Sequence, residues 1–284
     1  MDVKEKMYLV LVLCFAAVLI TVGAAFFIVR GLGSTTRQND NTADSAATQE
    51  PLVADSSYDK NQNTIDTNKY SSTILEESAD AGQSYVDETL FLGDSNTARM
   101  YRIFNYCSYD NAIGSVGMSG KSLATYACVQ FQGYSGYKTM PEAVALMQPR
   151  RVILTFGTND LSSSYSASSF ASDYAKGIKA VQDAYPNVDI IVNAIPPLGQ
   201  QHSNQNLTQT QVDEYNKALV QMCQDNGWKF LNSAEVLKDS STGYAKSGYV
   251  LSSDGIHLTE QDMDALLTYI RTHCYITEET RPAL

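Results

Sequence analysis

Apolar residues fall along this chain in long runs and in periodic stretches, and the two patterns predict different elements. The longest run is Met7 to Val29, 23 residues without a charge. At ~1.5 Å rise per residue a helix of that length spans a ~30 Å hydrocarbon core, so the pattern predicts a transmembrane helix over residues 7–29 behind a short cytoplasmic N-terminus, residues 1–6. A cleaved signal peptide is the competing reading. It expects an apolar region of only about 7–15 residues, although Val22-Gly23-Ala24-Ala25 offers the small residues a signal peptidase uses. Val12-Leu13-Cys14 lacks the small residues that precede a lipidated cysteine. Lysines 4 and 6 precede the run and arginines 30 and 37 follow it, so flanking charge does not orient the span. The usual behaviour of an N-terminal anchor places the larger C-terminal part outside.

Residues 30–69 are dominated by Ser, Thr, Asn, Asp, Gln and Ala. Such a stretch buries too little apolar surface to offset its ordering entropy and is predicted to be a flexible polar linker. From residue 70 to 284 the composition is globular. Thr89–Leu92, Arg151–Phe156, Val188–Ala194 and Trp228–Leu231 are short, nearly continuous apolar runs, the first two closed by Gly93 and Gly157 and the third by Pro196-Pro197. Runs of this kind suit strands buried on both faces of a parallel sheet. Between them, apolar residues recur at helical spacing: Phe170, Tyr174, Ile178 and Val181 within 167–184; Val212, Tyr215, Leu219 and Met222 within 210–226, with Gly227 as a C-terminal cap; and Met263, Leu266, Leu267 and Ile270 within 259–272. A shorter helix with proline at its start is predicted over 141–147. Alternation of strands and helices implies right-handed βαβ units and a three-layer α/β/α sandwich with a mostly parallel sheet.

The formal net charge of −11, from 31 acidic against 20 basic residues, argues against a nucleic-acid-binding surface and against a peripheral grip on anionic lipid. Cys107, Cys128, Cys223 and Cys274 are scattered without a C-x-x-C pair. They either close two disulfides in an exported domain or serve as small buried hydrophobes.

In open α/β sheets ligands bind beyond the C-terminal strand ends. The polar residues at those places are Gly93-Asp94-Ser95-Asn96 and Gly157-Thr158-Asn159-Asp160. Between them lies a glycine-rich stretch, Gly114 to Gly120, and near the C-terminus comes Asp254-Gly255-Ile256-His257. A serine hydroxyl attacks only when a base takes its proton. Among the three histidines, His257 has an aspartate three residues earlier, able to reach back to the second ring nitrogen as in a Ser-His-Asp triad. Asn159 and a backbone N–H at a glycine are candidate donors to an oxyanion. Asp94 and Asp160 are read as turn-forming residues, with no metal site. The glycines at 114, 117 and 120 are spaced G-x-x-G-x-x-G, which is not the dinucleotide fingerprint. Tyr126, Phe131, Tyr134 and Tyr137 form either an aromatic wall for a sugar or acyl group, or ordinary core and surface aromatics.

Phe91-Leu92-Gly93-Asp94-Ser95-Asn96, Gly117-Met118-Ser119-Gly120, Gly157-Thr158-Asn159-Asp160 and Asp254-Gly255-Ile256-His257-Leu258 resemble, in order, the four conserved blocks of the SGNH/GDSL hydrolases. The resemblance spans about residues 88–272. It implies a flavodoxin-like fold, Ser95 as nucleophile, Asp254 and His257 as its partners, and an oxyanion hole from Ser95, Gly120 and Asn159, with no cofactor. Asn96 stands where the family most often has leucine. Ser115 stands where the second block usually has asparagine, which leaves both Gly117 and Gly120 open as the second donor. The implied reaction is hydrolysis of O-acyl esters, above all O-acetyl esters on cell-wall or extracellular glycans, by a single-pass protein of the cell membrane whose catalytic domain lies outside. An O-acyltransferase with the same triad and a non-catalytic glycan-binding protein on the same fold are the alternatives.

Overall fold

The computed structural model describes residues 52–54 and 57–278. The expected span over Met7–Val29 and most of the expected linker lie outside them. Among the described residues no helix is long and apolar enough to cross a membrane. The strands are β1 (Val53–Ala54), β2 (Thr89–Gly93), β3 (Ala112–Gly114), β4 (Ala127–Val129), β5 (Lys138–Thr139), β6 (Arg151–Thr155), β7 (Asp189–Asn193), β8 (Gln201–His202) and β9 (Lys229–Leu231). The helices are α1 (Gly82–Asp87), α2 (Ser95–Arg102), α3 (Met140–Met147), α4 (Ala167–Ala184), α5 (Gln209–Asn226), α6 (Ala234–Leu237) and α7 (Glu260–Thr272).

Five strands form the central sheet in the order β3-β2-β6-β7-β9, all parallel. Their apolar residues divide by parity, as the two-residue period of a strand requires. Leu90, Leu92, Val152, Leu154, Ile190, Val192 and Phe230 face one cluster, with Phe170, Tyr174 and Ile178 of α4 and Val212 and Leu219 of α5. Phe91, Ile153, Ile191 and Leu231 face the other, with Met263, Leu266 and Ile270 of α7. The sheet is therefore covered on both faces, which is why its strands read as unbroken apolar runs. The free edge of β9 is capped by residues 73–75: Phe230 donates to the Thr73 carbonyl and Leu75 donates to the Phe230 carbonyl, both at 2.9 Å. A covered edge cannot recruit a foreign strand.

Helix ends follow local chemistry. Thr139 with Glu142, and Thr208 with Gln211, form capping boxes at α3 and α5. Ser166 caps α4, and Gly227 ends α5 with φ +72°. The predicted helix over 167–184 is the observed one, and the other three shift by a residue. β3 was not predicted, because three residues ending in glycine carry no periodicity. Helix α2 was not predicted either, and its N-cap is Asp94, with Ser95 the first helical residue.

The expected linker ran to Lys69, but from Ser57 onward the chain is laid on the domain. The Tyr58 hydroxyl donates to Asp213 at 2.7 Å, Lys60 donates to the Ser240 carbonyl at 2.6 Å, and Ile65 packs on the core. A few anchoring side chains thus hold a stretch whose bulk composition is polar. The four described cysteines are free thiols, with Cys107 and Cys223 buried.

Asp262, in the first turn of α7, is fully buried and neither carboxyl oxygen has a hydrogen-bond partner. Burial pushes its carboxyl up to about 8. Since an unfolded aspartate titrates near ~3.9, the protonated side chain favours the fold at low pH, and that contribution is lost as pH climbs from about 4 through about 8. Asp262→Asn is expected to match the parent in thermal melts at pH 4.5 and to exceed it by roughly 5 °C or more at pH 8.5. A difference between the two proteins that does not vary with pH contradicts the assignment.

Candidate active site

Strands β2 and β6 lie side by side in register, Gly93 opposite Thr155, so the chain leaves the sheet at the same level twice. In sequence terms the five strands are ordered 2-1-3-4-5, and the order reverses between β2 and β6, which opens a crevice at their C-terminal ends. Ser95 follows β2 there and Asn159 follows β6. Helix α2 is drawn tightly onto the strand ends. A Cβ on Gly114 would lie 2.2 Å from the Ala98 backbone nitrogen, and one on Gly93 would lie 2.0 Å from Thr97 Oγ1. Neither position admits a side chain without moving the helix that carries Ser95.

The second half of the site comes from the loop before α7. Asp254 Oδ1 accepts the backbone N–H groups of Ile256 at 2.7 Å and His257 at 2.9 Å, which curls the loop so that Oδ2 meets His257 Nδ1 at 2.8 Å. Gly255, at φ +67°, lets this turn close against its neighbour: a Cβ there would sit 2.0 Å from the Gln201 carbonyl. His257 Nε2 then lies 3.1 Å from Ser95 Oγ. A carboxylate only accepts, so Nδ1 carries the ring proton and Nε2 is left as the acceptor facing the hydroxyl. Burial alone would raise the Asp254 carboxyl, but the His257 ring, the two backbone N–H groups and the attraction of an imidazolium outweigh it and hold it below the usual carboxylate range. The side chains of His257 and Asp254 remain 35 % and 21 % exposed, so the pair opens to solvent.

The structure thus brings Ser95, Asp254 and His257 together. The three expected oxyanion donors are placed differently from one another. The Ser95 N–H stands at the first position of α2, where no intrahelical acceptor exists. Asn159 Nδ2 donates to Asp94 Oδ2 and to the Met118 carbonyl, both at 3.2 Å. The Gly120 N–H donates to Asp160 Oδ2 at 2.7 Å, and Gly120 is itself buried against Phe170 and Tyr174. Gly117, the other candidate, is exposed, with φ +74°. The turn around it forms with Ser115, whose N–H reaches the Gly93 carbonyl at 3.0 Å.

Two residues read from sequence as turn formers do more. Asp94 is buried, accepts from Asn96 N–H at 2.9 Å, and holds the Asn159 amide. Burial pushes its carboxyl up to about 6, against the pull of the Asn96 N–H and the His257 charge. Asp160 is likewise raised by burial, against the pull of the Gly120 and Lys121 N–H groups. Their adjacency to Ser95 and Asn159 was the only sequence signal. His202 is buried beside the 254–257 loop and His273 stacks on Tyr269; neither ring meets Ser95. Tyr126, Tyr134 and Tyr137 are exposed, whereas Phe131 packs on the core.

The short Nδ1···Oδ2 contact predicts a resolved proton resonance well downfield of the amide envelope. That signal is expected to vanish in Asp254→Ala and persist in Ser95→Ala. Its absence from the folded parent contradicts the His257–Asp254 geometry.

The sequence profile described as the GDSL-like lipase/acylhydrolase family matches residues 91–264, from β2 into α7. A search of curated proteins finds no match. Among solved structures, a putative acylhydrolase from Bacteroides fragilis is 16 % identical, with 69 % of this chain and 96 % of that one aligned at a TM-score of 0.50. A GDSL-like lipase from Bacteroides thetaiotaomicron is 15 % identical, with 72 % and 93 % aligned, also at 0.50. These two likenesses are of fold.

Proposed function

This chain belongs to the GDSL-like lipase/acylhydrolase family and is a carboxylic ester hydrolase, and on that premise we propose that it removes O-acyl groups, chiefly O-acetyl, from extracellular glycans through Ser95, His257 and Asp254. The observation that carries the reading is one imidazole held at both ends, 3.1 Å from the Ser95 hydroxyl and 2.8 Å from the Asp254 carboxylate.

Ser95 Oγ attacks the acyl carbon while His257 Nε2 takes the hydroxyl proton, and Asp254 stabilises the imidazolium. The negative charge that develops on the carbonyl oxygen is met by the Ser95 N–H and by the Asn159 amide, which exchanges the Met118 carbonyl for the oxyanion and keeps its bond to Asp94. Gly120 contributes its N–H only on release from Asp160. Collapse expels the alcohol, which takes the proton from His257, and leaves an acyl group on Ser95. Water, deprotonated by His257, attacks that ester. The carboxylic acid departs and the proton returns to Ser95.

A small acyl group on a polymer suits this site for two reasons. The His257–Asp254 pair opens to solvent, whereas a long acyl chain needs an apolar enclosure. The exposed rings of Tyr126, Tyr134 and Tyr137, on the segment between Gly120 and α3, offer flat apolar faces of the kind a sugar ring stacks on. The uncharged run over Met7–Val29 is assigned as the anchor, with the polar stretch after it spacing the domain from the outer membrane face.

Ser95→Ala is expected to lower kcat for p-nitrophenyl acetate by about 10⁴-fold or more. Parental turnover by that variant removes Ser95 from the mechanism. Asn159→Ala is expected to cost about 10²–10³-fold in kcat with little change in KM, read in the same assay. Joint replacement of Tyr134 and Tyr137 by alanine is expected to raise KM for an acetylated polysaccharide several-fold more than KM for the small ester. Equal changes for the two substrates contradict glycan stacking there.

A further inference from the structure

Helix α2 carries the nucleophile, and two more of its side chains reach across to the loop that carries the base. Asn96 is buried, and its Oδ1 accepts the backbone N–H of Leu258 at 3.0 Å. Arg99 Nε donates to the backbone carbonyl of the same Leu258 at 3.2 Å. Leu258 directly follows His257. Residues three apart on a helix share a face, so Asn96 and Arg99 grip one residue by both of its backbone polar groups. The grip is supported on each side. The Arg99 guanidinium lies over the Phe104 ring, 5.2 Å from its centroid. The Leu258 side chain is buried in the cluster that contains Met100 of α2 and Met263 of α7. On the Asn96 side, its own backbone N–H is fixed by Asp94, which also holds the Asn159 amide.

We propose that Asn96 and Arg99 are positioning residues that clamp the Leu258 backbone to the nucleophile helix and so set the distance between Ser95 Oγ and His257 Nε2. The proposal rests on the assignment of Ser95 and His257 above. Asn96 occupies the one place in the first motif where this chain departs from the usual leucine, and a leucine carries no acceptor for the Leu258 N–H. The clamp bypasses the rest of the fold: instead of reaching His257 through the sheet, the nucleophile's helix holds the base loop directly. Misplacing reacting groups by about 1 Å costs on the order of 10²-fold, so small slackening at Leu258 is amplified at the hydroxyl.

The test is a cycle in p-nitrophenyl acetate hydrolysis with the parent, Asn96→Leu, Arg99→Met, His257→Ala, and each clamp variant combined with His257→Ala, all checked for folding by circular dichroism. Asn96→Leu is expected to lower kcat by roughly 10- to 100-fold with KM nearly unchanged, and Arg99→Met by a smaller factor in the same direction. In the His257→Ala background neither substitution is expected to lower the residual rate further, because a group acting through the base has nothing left to act on. Should Asn96→Leu fail to fold, Arg99→Met carries the same comparison. Parental kcat in both single variants, or an equal fractional loss with and without His257, overturns the clamp. Parental activity in His257→Ala alone overturns it too, by first removing His257 as the base, so failure of the underlying assignment is told apart from failure of the clamp.

Discussion

The contact between the Ser95 hydroxyl and the His257 ring joins residues 162 positions apart in the chain. It works as a proton path only if Nε2 is unprotonated and aimed, and that depends on Nδ1 being occupied by Asp254. Each half of the contact is supported from a different direction. Ser95 is presented by a strand end and the first turn of α2. His257 is presented by a loop curled on its own aspartate and closed against Gln201 through Gly255. α7, starting under the Thr259 cap, ends that loop and packs under the sheet. Slackening of either support lengthens the same contact.

A parallel sheet makes this convergence inexpensive. Because β2 and β6 are in register and adjacent, the segments that follow them leave at one level, and the reversal of strand order keeps the helices from filling the space between. Burial on both faces leaves little freedom for the strands to shift. The cost appears at the rim, where Asp94 and Asp160 are carboxylates buried beside the site, and burial raises both. Each stays because it accepts N–H groups that would otherwise be orphaned: those of Asn96 and Asn159 for Asp94, and that of Gly120 for Asp160. The site is therefore held by polar residues in places where a core alone would be more stable with apolar ones.

Most of the sheet was legible from the amino-acid sequence. Apolar runs at 89–92, 151–156, 188–194 and 228–231 mark four of five strands because burial on both faces leaves a continuous signal, and α4 was legible to the residue from its three- and four-residue spacing. β3 was not, since Ala112-Ile113-Gly114 is too short to show a period and is a strand only because β2 lies beside it. The segment from Ser57 to Lys69 was read as linker because composition averages over many residues, whereas its attachment rests on a few side chains, among them Tyr58, Lys60, Ile65 and Lys69. In the site, Ser95 and Asn159 were legible as types in turns after strands, and Asp254 and His257 as a pair three residues apart in the loop before the last helix. The N–H of Gly120 turning to Asp160, the Asp94 bond to Asn159 and the grip of Asn96 and Arg99 on Leu258 were not. Those contacts join distant segments, the first and last through backbone groups that leave no trace in side-chain patterning, and the Asp94 bond to Asn159 through two side chains 65 positions apart that no local pattern pairs.

The central claim is that one hydroxyl in this chain is made nucleophilic by its neighbours. Incubation of the folded protein with a fluorophosphonate, followed by intact mass and peptide mapping, tests this without assuming any natural ester. The account predicts a single adduct approaching one per chain, located on Ser95. An adduct at another residue, or a folded protein that stays unlabelled, would contradict it.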